Sequence, residues 1–252
     1  MPLFNYKESK IAYSLVGEGN PLVLVHGFSI DSRMWKPQIE FFKNKYQVIT
    51  YDMRGFGSSS LPISRYSHHD DLKAFLDYLN IKKVNIVGLS LGGEISLDFT
   101  LMYPEYVNKL ILLDSSLSGY SSTVDWNVYA KEQGLEKAKE NWLNHNVFKS
   151  ARNKPLALQL LTEMVHDYSG WHWLNFDPRE KPKAIEKLSE IKCPVEIILG
   201  QNDLDYYHDI AKILNESIKN SNLDIIDDSG HMVNLEQSEK TNHIIDDFLQ
   251  NL

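Results

Sequence analysis

The chain has 252 residues, 42% of them hydrophobic and 24% charged, which is enough apolar material for a core and too much for a disordered or low-complexity chain. Its net charge of −8, from 26 Lys+Arg against 34 Asp+Glu, excludes a broad basic face for nucleic acid and a polybasic membrane patch. A single cysteine, Cys193, excludes an internal disulfide, a multi-cysteine zinc module and Cys-x-x-Cys redox chemistry.

Taken in chain order, segments around Leu3–Tyr6 and Ile11–Leu15 suit an antiparallel hairpin at a sheet edge. Leu22-Val-Leu-Val25 is a buried strand, followed by a helix from about Trp35 to Lys45. The strand Gln47–Tyr51 precedes a helix from about Tyr66 to Leu79, in which Leu72, Phe75, Leu76 and Leu79 recur at i, i+3, i+4, i+7. Strand Val84–Val87 leads into a helix over Leu91–Tyr103 that stops before Pro104. Strands Leu110–Leu113, Val195–Leu199 and Leu223–Ile226, with helices over Asp209–Lys219 and Ser238–Leu249, complete the alternation. Near-continuous apolar strands between helices predict an α/β protein, a mostly parallel sheet with helices on both faces.

The alternation breaks once. Between Ser116 and Leu188 no buried strand is expected; helices fit Trp126–His145 and Pro155–Tyr168, and Trp126, Trp142, Trp171 and Trp173 all fall there. An insertion between strand ends faces the side on which open α/β sheets bind ligands. The reading is a core of 1–115 and 189–252 with a helical cap, 116–188, inserted after the sixth strand; an extra helical layer is the alternative. Trp126, Trp142, Tyr168 and Trp171 are the expected pocket residues. No stretch approaches the ~20 apolar residues of a membrane span. The first ten residues carry charges where a signal peptide needs an apolar run, so a soluble, cytoplasmic chain is expected.

The chemistry centres on Val84-Asn-Ile-Val-Gly88-Leu89-Ser90-Leu91-Gly92-Gly93. Gly-x-Ser-x-Gly between a strand and a helix makes a sharp turn that lifts a serine hydroxyl clear of the sheet, and the helix start aims N–H groups at a developing oxyanion. A phosphate loop is the rival, since Gly88 and Gly93 have the Gly-x4-Gly spacing, but Glu94 and Ile95 stand where Lys and Ser/Thr are needed. A serine nucleophile needs a base, and the base an orienting acid. His231, just past the last strand, is the expected base. Asp203, just past the preceding strand, is the preferred acid; Asp205 and Asp114 are alternatives. The oxyanion N–H groups should come from Leu91 and from Phe28, which follows Leu22-Val-Leu-Val-His26-Gly27. His26 is expected to be structural, hydrogen-bonded beneath its loop. In Asp52-Met-Arg54-Gly55-Phe-Gly57-Ser58, Asp52 and Arg54 are expected to pair. His68-His69-Asp70-Asp71 opens a helix, where acids suit the dipole, and no metal site is expected.

These motifs in this order, His26-Gly-Phe28, Asp52–Ser58, Gly88–Gly93, Gly200-Gln-Asn-Asp203 and Ser229-Gly-His231, resemble the α/β-hydrolase superfamily. The resemblance covers nearly the whole chain outside the insertion and implies an eight-stranded sheet. Tyr168-Ser-Gly-Trp-His-Trp173 and Gly230–Glu236 resemble the small serine hydrolases that include 3-oxoadipate enol-lactonases, carboxylesterases and cofactor-free haloperoxidase-like enzymes. Dehalogenases of this fold use an Asp nucleophile, against which Ser90 argues. The resemblance implies ester or lactone hydrolysis of a small to medium, largely apolar substrate through an acyl-enzyme, with no cofactor and a small molecule as the partner. A thioesterase, or a non-hydrolytic ligand-binding or lyase relative, is the alternative.

Overall fold

A computed structural model of the chain describes residues 1–120, 126–180 and 182–251. Eight strands form one sheet in the order β1-β2-β4-β3-β5-β6-β7-β8. They are β1 (Leu3–Tyr6), β2 (Ser9–Val16), β3 (Asn20–Val25), β4 (Tyr46–Tyr51), β5 (Val84–Leu89), β6 (Val107–Leu113), β7 (Val195–Gly200) and β8 (Ser221–Ile226). β1 and β2 form the antiparallel hairpin expected at the sheet edge, β2 is also antiparallel to β4, and β3 to β8 are parallel. The helices of the described residues are α1 (Lys36–Phe42), α2 (His68–Tyr78), α3 (Leu91–Met102), α4 (Trp126–Gln133), α5 (Leu135–Leu143), α6 (Pro155–Asp167), α7 (Trp171–Leu174), α8 (Asp205–Ser217), α9 (Val233–Glu236) and α10 (Ser238–Gln250).

Alternate residues of the parallel strands enter two cores. Val23, Val25, Ile86, Leu110, Leu112 and Ile197 meet Leu72, Phe75 and Leu76 of α2, Ile95 and Phe99 of α3, and Ile210 and Leu214 of α8. Leu22, Leu24, Val48, Val87, Ile111 and Ile198 meet Trp35, Phe42 of α1 and Ile245 of α10. Burial on both faces is what makes these strands read as unbroken apolar runs.

α4 to α7 lie between β6 and β7. The single helix expected over Trp126–His145 is two helices, broken at Gly134, whose φ of +86° lies in the left-handed region that glycine enters without steric cost. α8 starts at Asp205 rather than Asp209, which brings Tyr206 and Tyr207 into its first turn. Arg54 pairs with Asp71 rather than Asp52: its Nε and Nη2 donate to the two carboxylate oxygens at 2.9 and 2.6 Å. Asp52 accepts the N–H groups of Ser32 and Ser58 instead, at 3.0 and 2.8 Å, and so folds its own loop.

Candidate active site

Ser90 stands between β5 and α3 with φ +54° and ψ −115°. Such a conformation costs a residue with a Cβ about 1–3 kcal/mol and persists only when its surroundings impose it. Here they do. The Ser90 N–H donates to the Leu113 carbonyl at 3.0 Å, and its carbonyl accepts the N–H groups of Glu94 and Ser116, each at 3.0 Å. The flanking glycines are required by close approach: a Cβ on Gly88 would overlap the Gly92 carbonyl, and one on Gly92 the Val25 carbonyl. Leu91 is the first residue of α3, so its N–H has no partner within the helix, and the positive end of the helix dipole lies beside the serine.

The loops after β7 and β8 are stitched together by main-chain bonds. Gln201 N–H donates to Ile226 O at 2.8 Å and Asn202 N–H to Ser229 O at 2.7 Å. This brings Asp203 Oδ2 to 2.8 Å from His231 Nδ1, while Asp203 Oδ1 accepts the Leu204 N–H at 2.7 Å. Of the three candidate acids, Asp203 is the one that meets His231. Asp114 is fully buried and accepts the N–H groups of Gly200 and Val233 at 2.8 and 3.2 Å, which ties the end of β7 to α9. Burial, and after it the charge of Asp203, push the Asp114 carboxyl well above the ordinary range. Glu236 brackets the histidine from the other side: its two oxygens accept the N–H groups of Gly230 and Met232 at 2.9 and 3.0 Å.

Beneath the Phe28 loop, the His26 ring is buried. Its Nε2 accepts the Met53 N–H at 2.9 Å, so Nδ1 carries the proton and donates to Gly27 O at 2.8 Å. With both nitrogens used and burial lowering its pKa, this ring stays neutral and structural. Above the loop, Trp142 Nε1 donates to Ser29 Oγ at 2.6 Å, so α5 holds the segment that follows Phe28.

Phe28, Ser90, Leu91 and His231 line one cavity of about 180 Å³, whose wall also holds Ser116, Trp142 and Phe148 from the insertion and Tyr207. Of the expected pocket residues, Trp142 is in the wall. Tyr168 is not: it is buried one layer behind, its ring 5.7 Å from that of Phe28 and stacked on Phe56, its hydroxyl 3.0 Å from His172 Nδ1. Trp171 is not in the wall either; it is half-buried, edge-on to His172. The Trp126 side chain lies outside the described residues.

Tyr207 is the wall residue that sequence reasoning misses. Its ring centroid lies 4.1 Å from that of His231, and its hydroxyl faces those of Ser90 and Ser116. Burial, then the charge of Asp203, raise its phenol so that it stays protonated at neutral pH. The only sequence signal for it was a pair of tyrosines just after Asp203, set outside the predicted helix. Among the described residues, no group of three His, Cys, Asp or Glu side chains is arranged to hold a metal ion.

This fold and site define an α/β hydrolase. The model of the α/β hydrolase fold family matches residues 20–238, and the chain belongs to that family. It is 27% identical over 266 residues to 3-oxoadipate enol-lactonase 2 of Acinetobacter baylyi, covering 98% of this chain and 97% of that protein. It is 29% identical over 265 residues to the 2-hydroxy-6-oxononadienedioate/2-hydroxy-6-oxononatrienedioate hydrolase of Burkholderia vietnamiensis, covering 96% and 92% of the two chains. A thermophilic esterase from Thermogutta terrifontis superposes with a TM-score of 0.83 at 26% identity, covering 96% of this chain and 93% of that one. No helix among the described residues is long and apolar enough to cross a membrane.

Proposed function

We propose that this protein is a serine hydrolase that cleaves a carboxylic ester or lactone of a small, largely apolar substrate through a Ser90-His231-Asp203 triad. The observation that carries the reading is the 2.8 Å Asp203–His231 bond opening onto the same cavity as Ser90, at the turn before α3. His231 takes the Ser90 proton as Oγ attacks the carbonyl carbon. The N–H groups of Phe28 and Leu91 receive the oxyanion. His231 then protonates the leaving alcohol, and water repeats the sequence to free the acid. Asp203 fixes the imidazole tautomer and stabilises its charged form. Residues 116–188 serve as a cap on a core made of 1–115 and 189–252. The reading requires no cofactor, and a cytoplasmic setting suits a chain with one free cysteine.

The size and lining of the cavity support a small, uncharged substrate. Sites for drug-sized ligands span roughly 300–1,000 Å³; this cavity is about 180 Å³. Hydrolysis of a dioate, the substrate that the name of the Burkholderia relative carries, is the second reading. Such a substrate brings two carboxylates, and no Lys or Arg is among the described residues of this wall. The test is a series of p-nitrophenyl esters from acetate to decanoate beside a dicarboxylate monoester. The reading expects kcat/KM to peak at short chains and to fall when the acyl group is charged. A peak at long chains, or a preference for the charged acyl group, would contradict it.

A further inference from the structure

We propose that Tyr207 is a catalytic residue that donates a hydrogen bond to the leaving-group oxygen, alongside the proton delivered by His231. This deepens the serine hydrolase reading and rests on it. Three placements carry it. The Tyr207 ring lies 4.1 Å from the imidazole, tilted by 38°. Its hydroxyl faces Ser90, with Ser116 as a second neighbour. It forms part of the wall that holds both Ser90 and His231.

The imidazole Nδ1 is occupied by Asp203, so the proton must travel through Nε2. The oxyanion goes to the Phe28 and Leu91 amides, which leaves the departing oxygen beside Nε2. A donor that reaches Ser90 and lies against the imidazole stands next to that oxygen. When the tetrahedral intermediate collapses, the oxyanion lone pair re-forms the carbonyl. The carbon–oxygen bond breaks, its electron pair stays on the leaving oxygen, and His231 Nε2 gives that oxygen its proton. The Tyr207 O–H keeps its own proton throughout and lends a hydrogen bond while negative charge builds.

This role makes Tyr207 matter most when the leaving group is poor. An alkoxide concentrates charge on its oxygen, whereas p-nitrophenolate spreads charge into its ring and needs less help. A hydrogen bond to a charged group is worth roughly 10- to 100-fold in rate. The test compares wild type and Tyr207→Phe on p-nitrophenyl acetate, phenyl acetate and ethyl acetate, with fluorophosphonate labelling of Ser90 run on both as a check on the fold. The expected result is that kcat/KM, which reports acylation, falls at least about tenfold more for ethyl acetate than for p-nitrophenyl acetate, with the phenyl ester between and Ser90 still labelled. An equal fall on all three esters would overturn the proposal and leave Tyr207 a support for the imidazole. No fall on any would overturn it as well. A wild type that turns over no ester and takes no label at Ser90 would overturn the serine hydrolase reading beneath it.

Discussion

The carboxylate of Asp203 and the imidazole of His231 share one 2.8 Å hydrogen bond, with the two side chains 0% and 6% exposed. A second carboxylate, Asp114, is pushed up by burial and then by the charge of Asp203, and its oxygens are spent on main-chain N–H groups. The two acids therefore separate by variant. Asp203→Asn should lower kcat by about 10²–10⁴, because the amide no longer fixes the imidazole tautomer. Asp114→Asn should leave kcat within a few-fold and cost about 1–3 kcal/mol of stability, because its NH₂ group faces an N–H that needs an acceptor. Steady-state kinetics beside urea denaturation checks both. A large kcat loss confined to Asp114→Asn would reverse the assignment.

The backbone at Ser90 offers a second test. Its φ of +54° strains any residue with a Cβ. Ser90→Gly should raise Tm by about 2–4 °C, a net gain of about 1 kcal/mol after the extra freedom of glycine in the unfolded chain. Ser90→Ala keeps the Cβ and should melt near wild type. Equal melting of Gly and Ala variants in calorimetry would show that the strain is not stored there.

Much of this was legible in the sequence because it is local. The turn at Ser90 needs Gly88 and Gly92 within two residues of the serine, and the strands carry their burial as apolar runs. The residues that were missed are tertiary. Arg54 meets Asp71 seventeen positions away rather than its neighbour Asp52. Tyr207 reaches the cavity only because α8 begins at Asp205. Tyr168 and Trp171 are aromatic and lie in the insertion, which suggested a pocket, but Tyr168 spends its hydroxyl on His172 and packs behind Phe28. Composition marks an aromatic cluster without saying which ring faces the void.

The Arg54–Asp71 pair is buried, each residue 2% exposed. Arg54→Met alone leaves a buried carboxylate without its partner and should cost about 3–5 kcal/mol. The double variant Arg54→Met/Asp71→Leu removes the stranded charge and should recover most of that loss. Chemical denaturation of wild type, both single variants and the double variant measures the coupling; simple additivity of the two losses would contradict it.

A pH test rests on Asp98, whose carboxyl is pushed up to about 7, chiefly by burial and further by the charge of Glu94, against the Ser118 hydrogen bond and Arg179. The unfolded chain releases this proton near the ordinary 3.8, so between about pH 4 and 7 the native state binds more protons. Stability therefore falls across that window as pH rises. Asp98→Asn mimics the protonated group and can still accept the Ser118 hydroxyl. It should match wild type at pH 4 and melt a few degrees higher at pH 8, roughly 2–4 °C per kcal/mol. Parallel Tm–pH curves for the two proteins would contradict the assignment.

The central claim is that Ser90 is an activated nucleophile. Intact-protein and peptide mass spectrometry after treatment with a fluorophosphonate reads it directly. One adduct per chain on the Ser90 peptide is expected, absent in Ser90→Ala and slowed by about 10² or more in His231→Ala. No adduct, or one that persists in Ser90→Ala, would contradict the account.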